Sequence, residues 1–417
     1  MRIAIIIVTY NANERLKMHL TQLKNQTKKI DSIIIVNNGT ADMKWVNEFD
    51  KYSNIEIIEV GANTGPAGGF KIGAKRAYSL GYDYIILADD DALPAENAIE
   101  YFYENAAQKI DVVRGFFSNG SLIVTSNHYF MIHRDVFTKI GFYFDPFFLM
   151  NEDVEFVERI ASLYKIKEDN RIKIYHPRRL TTRSTRWYFS SRNVLVHMTM
   201  TNRFFIYLFY FYFYFTRALF LMIFMGNNKF SSSFFVAFTH FLQGKMGNTN
   251  PNIDEMYLTQ TDPKDFKKNE QYIFIATDLK SIPLPFNDDN LEIFNESIFF
   301  GNSIRNSILR SIKEMFLNII KFMGKNLIIA NQFLMAYPPF SILAKNIYFY
   351  DETSNKTYFY YKNNPFLSIL FSLFIIPINV LVFPFVLCAF LFKQNYYKRL
   401  YNEKIAQDHE FCRSCET

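Results

Sequence analysis

Residues Ile3 to Thr9 read Ile-Ala-Ile-Ile-Ile-Val-Thr, a run of β-formers with no polar residue until its end. A strand apolar on both faces must be covered on both, which places it inside a mainly parallel sheet with helices above and below. The next ninety residues agree. Spacing predicts an amphipathic helix over Glu14 to Asn25, strands over Ser32 to Val36 and Ile55 to Val60, a helix ending near Leu80, and an apolar strand through Tyr82-Asp-Tyr-Ile-Ile86. Strands separated by helices imply right-handed βαβ units.

That last strand runs into Leu87-Ala-Asp-Asp-Asp-Ala-Leu-Pro94, ahead of a segment with helical spacing. Three carboxylates thus stand at the C-terminal end of a buried strand, where open α/β sheets bind ligands. Adjacent acids repel one another unless a cation or a set of donors offsets them, and hard oxygen ligands suit Mg²⁺ or Mn²⁺ carrying a diphosphate. A solvated acidic turn is the plain alternative.

A second acidic approach follows, Phe142-Tyr-Phe-Asp-Pro-Phe-Phe-Leu-Met150 into Asn151-Glu-Asp-Val-Glu-Phe156. Val154, Phe156, Val157, Ile160 and Ala161 have the spacing of a helix's buried face, so Glu152 and Asp153 occupy its first turn, where a simple cap is the competing role. Further strands are expected over Asp111 to Thr125, over Asn127 to His133, and over Ile172 to Pro177, the last ending in His176. In Thr185-Arg-Trp-Tyr-Phe-Ser-Ser-Arg-Asn193, Arg186 and Arg192 are cations beside rings that either hold a diphosphate or cover a helix. The turn Thr9-Tyr-Asn-Ala-Asn13 lacks the glycines of a dinucleotide-binding turn, and no phosphate-loop Gly-Lys-Ser/Thr run occurs. Gly65, Gly68 and Gly69 lie instead before the third helix, in Asn63-Thr-Gly-Pro-Ala-Gly-Gly-Phe70, where small residues let backbone approach a ligand or a neighbouring strand.

Taken in order, these pieces resemble the family 2 inverting glycosyltransferases of the GT-A fold, especially rhamnosyl- and galactofuranosyltransferase-like members. The matching residues are Ile7-Val-Thr-Tyr-Asn11, Ile35-Val-Asn-Asn-Gly39, the Asn63 to Phe70 turn, Asp89-Asp-Asp91, Asn151 to Phe156, His176, and Trp187 to Asn193, within about residues 1 to 245. The resemblance implies that Thr9 and Tyr10 line the nucleotide pocket and that Asn37, where many relatives have Asp, sits beside the base. It places the Gly65, Gly68 and Gly69 turn, Asp89 and Asp90 with the donor, and Arg192 with the donor phosphates or the Asn151 to Phe156 loop. Asp89 and Asp91 resemble the family's metal-binding pair for Mn²⁺ or Mg²⁺, with His176 completing the shell. Asp153 resembles the general base, with Glu152 as second candidate.

Aromatic residues make up 18% of the chain, 46 of them Phe, and the excess falls mostly after residue 200, which points to a membrane-facing second half. Formal net charge is +6, too mild to argue for nucleic acid, and basic residues cluster beside the aromatic runs as at anionic headgroups. Three cysteines, Cys388, Cys412 and Cys415, exclude a disulfide framework and suit a reducing compartment. The N-terminal apolar run is too short for a signal peptide.

The expected organisation is a GT-A α/β domain over residues 1–200, an aromatic, membrane-interfacial helical region over 201–250, and an α+β region without assigned chemistry over 251–363, with a helix at Ile304 to Met323. An uncharged segment follows over 364–392, expected to reverse as a re-entrant hairpin at Pro377 and Pro384 or to span a membrane, and then a basic, flexible tail over 393–417. Arg217 makes a span at 204–225 expensive. The expected function is metal-dependent, inverting transfer of a sugar from a UDP- or dTDP-linked donor to a lipid-linked or polysaccharide acceptor at the cytoplasmic membrane face. Membrane lipids are expected partners, and a homo-oligomer is compatible with this reading. The rivals are a sugar nucleotidyltransferase, which needs a glycine-rich, basic first turn, and a non-catalytic scaffold, which needs no acids.

Overall fold

The computed structural model describes residues 1–49, 54–117, 129–175, 184–225, 228–249 and 365–416, together with six short strands between 259 and 362. His176, the latter part of the strands expected over Asp111 to Thr125 and the expected helix at Ile304 to Met323 lie outside these residues.

Eight strands form the first sheet, in the order β3-β2-β1-β4-β7-β6-β8-β5. They are β1 (Ile3–Thr9), β2 (Ser32–Asn37), β3 (Asn54–Glu59), β4 (Tyr84–Asp89), β5 (Leu93–Pro94), β6 (Val112–Phe117), β7 (Phe130–His133) and β8 (Lys167–Tyr175). β1 to β4 are mutually parallel, and β7 reverses the direction against β4. The mixed, helix-covered sheet is a GT-A fold. β1 is its centre, and its alternate residues feed two cores. Ile3, Ile5 and Ile7 pack with Leu16, Leu20 and Leu23 of α1 (Asn13–Lys24) and with Ile99 and Phe102 of α3 (Ala98–Ala107). Ala4 and Ile6 face Phe70, Ala74 and Ala77 of α2 (Gly65–Ser79), beside Phe137 of α4 (Arg134–Ile140) and Phe156 of α5 (Glu152–Ala161). The period-two pattern thus decides which helix covers which face.

Four helices follow: α6 (Ser184–Met200), α7 (Phe204–Met225), α8 (Asn228–Gln243) and α9 (Pro365–Glu416). Their aromatic residues make a third core, in which Tyr207, Phe211, Phe238, Phe241, Phe390 and Tyr397 are buried. Arg217 is not at a lipid surface. It is 5% exposed, and its guanidinium stacks 3.6 Å over the Trp187 ring, which gives the cation a partner inside the bundle.

The expected hairpin over 364–392 gives way to one continuous helix of 52 residues containing both Pro377 and Pro384. α7 contacts it on both sides of Pro384: Tyr212 Oη donates to Asn379 O, and the Phe204 and Phe390 rings lie 5.0 Å apart. Residues 377–416 are long and apolar enough in part to cross a membrane. The expected flexible tail is also corrected, because the last turns of α9 dock on the first domain. Cys412 joins the α2-side core, and Asp408, 1% exposed, meets Lys75 Nζ at 2.8 Å and Lys71 Nζ at 3.1 Å while accepting the Phe142 N–H.

Between 259 and 362 lies a second sheet in the order β11-β10-β12-β13-β14-β9: β9 (Thr259–Thr261), β10 (Tyr272–Ala276), β11 (Leu291–Asn295), β12 (Asn326–Ile329), β13 (Asn346–Asp351) and β14 (Lys356–Lys362). β10 to β13 are parallel, and β14 pairs antiparallel with β13. Sequence pattern locates β10, β13 and β14 but not the three shorter strands.

Removing the Asp408 carboxylate leaves two lysines facing a buried site. Asp408→Ala is expected to destabilise the chain toward the lower end of the roughly 3–5 kcal/mol typical of a broken buried pair, because Lys71 keeps Asp145. Urea denaturation checks this. An unchanged midpoint would show that the C-terminal arm adds nothing to the fold.

Candidate active site

Two acidic segments meet at the C-terminal edge of the first sheet. β4 ends at Asp89, so Asp89, Asp90 and Asp91 leave the sheet as the chain turns toward β5. Asp90 is 7% exposed, accepts from Thr9 Oγ1 at 2.9 Å, and lies 3.4 Å from the Arg15 guanidinium. Arg15 also reaches Asp91 at 3.6 Å. Burial pushes the Asp90 carboxyl up to about 7 despite Arg15. Beneath the turn, His19 is fully buried against the Tyr129 hydroxyl, and burial takes its imidazole down to about 4, so it stays neutral.

The second segment starts α5. Glu152 is buried with Oε2 lacking a hydrogen-bond partner, and burial, reinforced by Asp153, pushes its carboxyl well above the usual range. Burial likewise raises Asp153 to about 7, opposed by the Val154 N–H and reinforced by Asp89. Asp89 acts electrostatically on both carboxyls of α5, so the strand end and the helix start lie close to one another in partly desolvated surroundings. The exposed Arg186 of α6 contributes positive charge toward Glu152.

The other expected site residues divide. Tyr10 is 52% exposed at the rim, whereas Thr9 is buried under Asp90. Asn37 is fully buried, and its amide donates to Glu59 and to Ala41 O. Gly65 and Gly69 are there for packing: Gly65 has φ +69, a Cβ on it would meet Phe148 O, and a Cβ on Gly69 would meet Val8. Gly68 does border open space, a cavity of about 430 Å³ shared with Asn63, Lys71, Asp145, Phe148 and Met246. For Arg192 two roles were expected, at the loop before α5 or at the donor phosphates, and its hydrogen bonds run to the chain ahead of that loop. It is fully buried, and its guanidinium donates to Phe147 O, Gly247 O and Asn193 Oδ1, which leaves it deep in the helix packing and away from the cleft.

Among the described residues, no three acids, histidines or cysteines converge on one point. Mg²⁺-type ions commonly take one or two carboxylates plus substrate phosphates, and the hard oxygens of Asp89 and Asp91 fit that smaller share. Arg15 and His19 escaped the sequence reading. The available signals were a cation and an imidazole on α1, with His19 on its apolar face between Leu16 and Leu23.

The profile of Glycosyl transferase family 2 matches residues 4–165, from β1 to the end of α5 and just beyond. The chain carries a family 2 glycosyltransferase domain. That domain is similar to the galactofuranosyltransferase GlfT1 of Mycolicibacterium smegmatis, 34% identical over 96 residues, 22% of this chain and 31% of the relative. GlfT1 of Mycobacterium tuberculosis is 34% identical over 88 residues, 21% of this chain and 29% of the relative. The chain thus spans less than a third of the length of these curated relatives. Among solved structures, S. aureus TarS 1–349 with UDP-GlcNAc gives a TM-score of 0.39 at 13% identity, over 59% of this chain and 82% of that one. A mannosyltransferase from Pyrobaculum calidifontis with GDP-Man and Mn²⁺ gives 0.39 at 15%, over 48% and 64%. Similarity of that degree sets no residue correspondence.

Burial of the glycosyltransferase domain's acids has a consequence for pH. Asp90 and Asp153 keep their protons up to about 7 when folded, while unfolded carboxyls lose theirs near about 4. The folded chain therefore holds more protons across that window, and stability falls as pH rises through it. Thermal unfolding of the metal-free protein should show a lower midpoint at about pH 8 than at about pH 5, with a shallower drop for Asp90→Asn. An identical drop in that variant would remove Asp90 from the account.

Proposed function

We propose that this chain transfers a sugar, with inversion, from a nucleoside diphosphate donor to a lipid-linked or growing glycan acceptor at the cytoplasmic face of a membrane. One observation carries the reading: within a family 2 glycosyltransferase domain, a strand-end acid cluster lies within electrostatic reach of a separate, partly exposed carboxylate. Inverting transfer needs those two functions apart, one at the leaving diphosphate and one at the acceptor hydroxyl.

Asp153 is assigned the acceptor proton. Its raised affinity for protons suits a base working near neutrality, and Asp89 enforces that by opposing a second negative charge nearby. Burial favours the neutral form of Glu152 and seals it from solvent, which leaves Asp153 as the candidate base. Asp89 and Asp91 would hold a divalent cation, which would neutralise the charge growing on the diphosphate. Arg15 keeps Asp90 and Asp91 from repelling each other before the donor arrives. Tyr10, at the rim, is placed to cover the nucleotide.

The helical half supports the membrane part. Phe205 and Phe209 of α7 and Phe374, Val380, Leu381, Phe385, Leu391 and Phe392 of α9 are all more than half exposed. An apolar surface of that extent suits a lipid contact. Lys393, Lys398 and Arg399 follow the apolar stretch of α9, as expected for cations near a headgroup layer.

The test is release of nucleoside diphosphate from a panel of UDP-, dTDP- and GDP-sugars with membrane extract, with and without Mn²⁺ or Mg²⁺. Metal-dependent turnover of one donor is expected. Asp153→Asn should lower it on the order of 10²–10⁴-fold, as for loss of a general base. Asp91→Ala should abolish the metal response. For the native chain, kcat/KM should rise with pH and level off above about 7, since only the ionised Asp153 accepts a proton. A chain that binds a nucleotide sugar but turns over none, with Asp91 dispensable, would be a binding module instead.

A further inference from the structure

The turn leading into α5 is strained. Phe148, Met150 and Asn151 have φ of +65, +66 and +70, and none is glycine. Left-handed backbone at non-glycine residues is strained and persists only where surrounding structure over-determines it. Here the densest set of restraints comes from α6. Asn193 of α6, fully buried, directs its Nδ2 at three carbonyls of the turn: Phe147 O at 2.9 Å, Leu149 O at 2.8 Å and Met150 O at 2.7 Å. Its Oδ1 accepts from Arg192 Nε at 2.9 Å, which settles the orientation of the amide, because the opposite orientation would set NH₂ against a guanidinium and oxygen against three carbonyls. One turn further along α6, His197 Nδ1 lies 3.1 Å from the Asn151 amide nitrogen, and its Nε2 lies 3.4 Å from Glu158.

From this geometry we propose that Asn193 is a positioning residue for the proton-accepting carboxylate, clamping the strained turn that delivers Asp153 to the cleft. The inference rests on the assignment of Asp153 made above. The clamp lies outside residues 4–165, in a helix that also packs on the aromatic bundle, so the placement of the base depends on the second half of the chain. Asn193 contributes no hydrogen bond to the sheet, and its removal should free the turn while leaving β1 to β4 in place. A carboxylate displaced by about 1 Å is enough to cost on the order of 10²-fold in rate.

The test uses the full chain with Asn193→Leu, of similar size without the donor, and Asn193→Asp, which keeps an oxygen toward Arg192. Amide hydrogen exchange at residues 148–153 should quicken at least tenfold in both, with exchange in β1 and β4 unchanged. Binding of UDP or dTDP with Mn²⁺, measured by calorimetry, should stay within threefold of the native value. With the donor that turns over in the panel, kcat should fall about 10- to 100-fold. Unchanged exchange in the turn, or an unchanged kcat, overturns the proposal. So does parallel loss of nucleotide binding and sheet protection, or failure of both variants to fold, since a positioning residue leaves the sheet standing. If the native chain turns over no donor, the transferase reading falls while the exchange experiment still decides the clamp.

Discussion

A strand that is apolar on both faces can only exist covered on both, and β1 is such a strand. Its covering sorts everything else. One face takes α1 and α3, and the other takes α2, α4, α5 and finally the last turns of α9. Because β1 to β4 run parallel, their C-terminal ends share an edge, and the chain leaves that edge with Thr9, Asn37 and Asp89. An acid cluster there is a product of topology as much as of composition.

Burial then determines what the acids can do. Asp90 is enclosed by Thr9 and Arg15, while Asp153 sits where desolvation and the charge of Asp89 both favour its protonated form. Both carboxyls are raised to about 7, but Asp90 is tied to Thr9 and Arg15 whereas Asp153 is partly open to solvent, as a group that exchanges protons with a substrate must be. The difference between neighbouring acids of the same type comes from their surroundings. Glu152 and Asp153 are adjacent in sequence, yet one is sealed in with an unpartnered oxygen and the other is partly open.

The aromatic half is built into this arrangement. α6 supplies the polar side chains that hold the turn before α5, and α9 returns over 52 residues to place Asp408 between two lysines of α2. Lys71, which meets Asp408, also meets Asp145 at the entrance to the same turn. The turn is therefore braced from two directions by helices outside the matched domain. The exposed apolar surface of α7 and α9 and the acidic edge of the first sheet are joined through the same helices.

Local pattern was enough to reveal β1, β2, β4, α1 and α5 within a residue or two, because each is a continuous run whose period shows in its own side chains. It was enough to bring out the Asp89 to Asp91 cluster and the Glu152–Asp153 pair, because acids after an apolar approach stand out against their neighbours. Pairwise meetings across tens to hundreds of residues are invisible to it. Gly69 against Val8, Arg15 over Asp91, Asn193 on the carbonyls of 147–150, and Asp408 between Lys71 and Lys75 all join segments that carry no mark of one another. The hairpin expected at Pro377 and Pro384 failed for the same reason. Proline weakens a helix locally, and α9 continues with α7 in contact on either side of Pro384. Periodicity and composition by themselves determined the sheet, its helices and the acids, since these follow from how each segment meets water. Which carboxyl stays open, which arginine is internal and what holds the strained turn were decided only by tertiary structure, since burial and pairing belong to the packed chain.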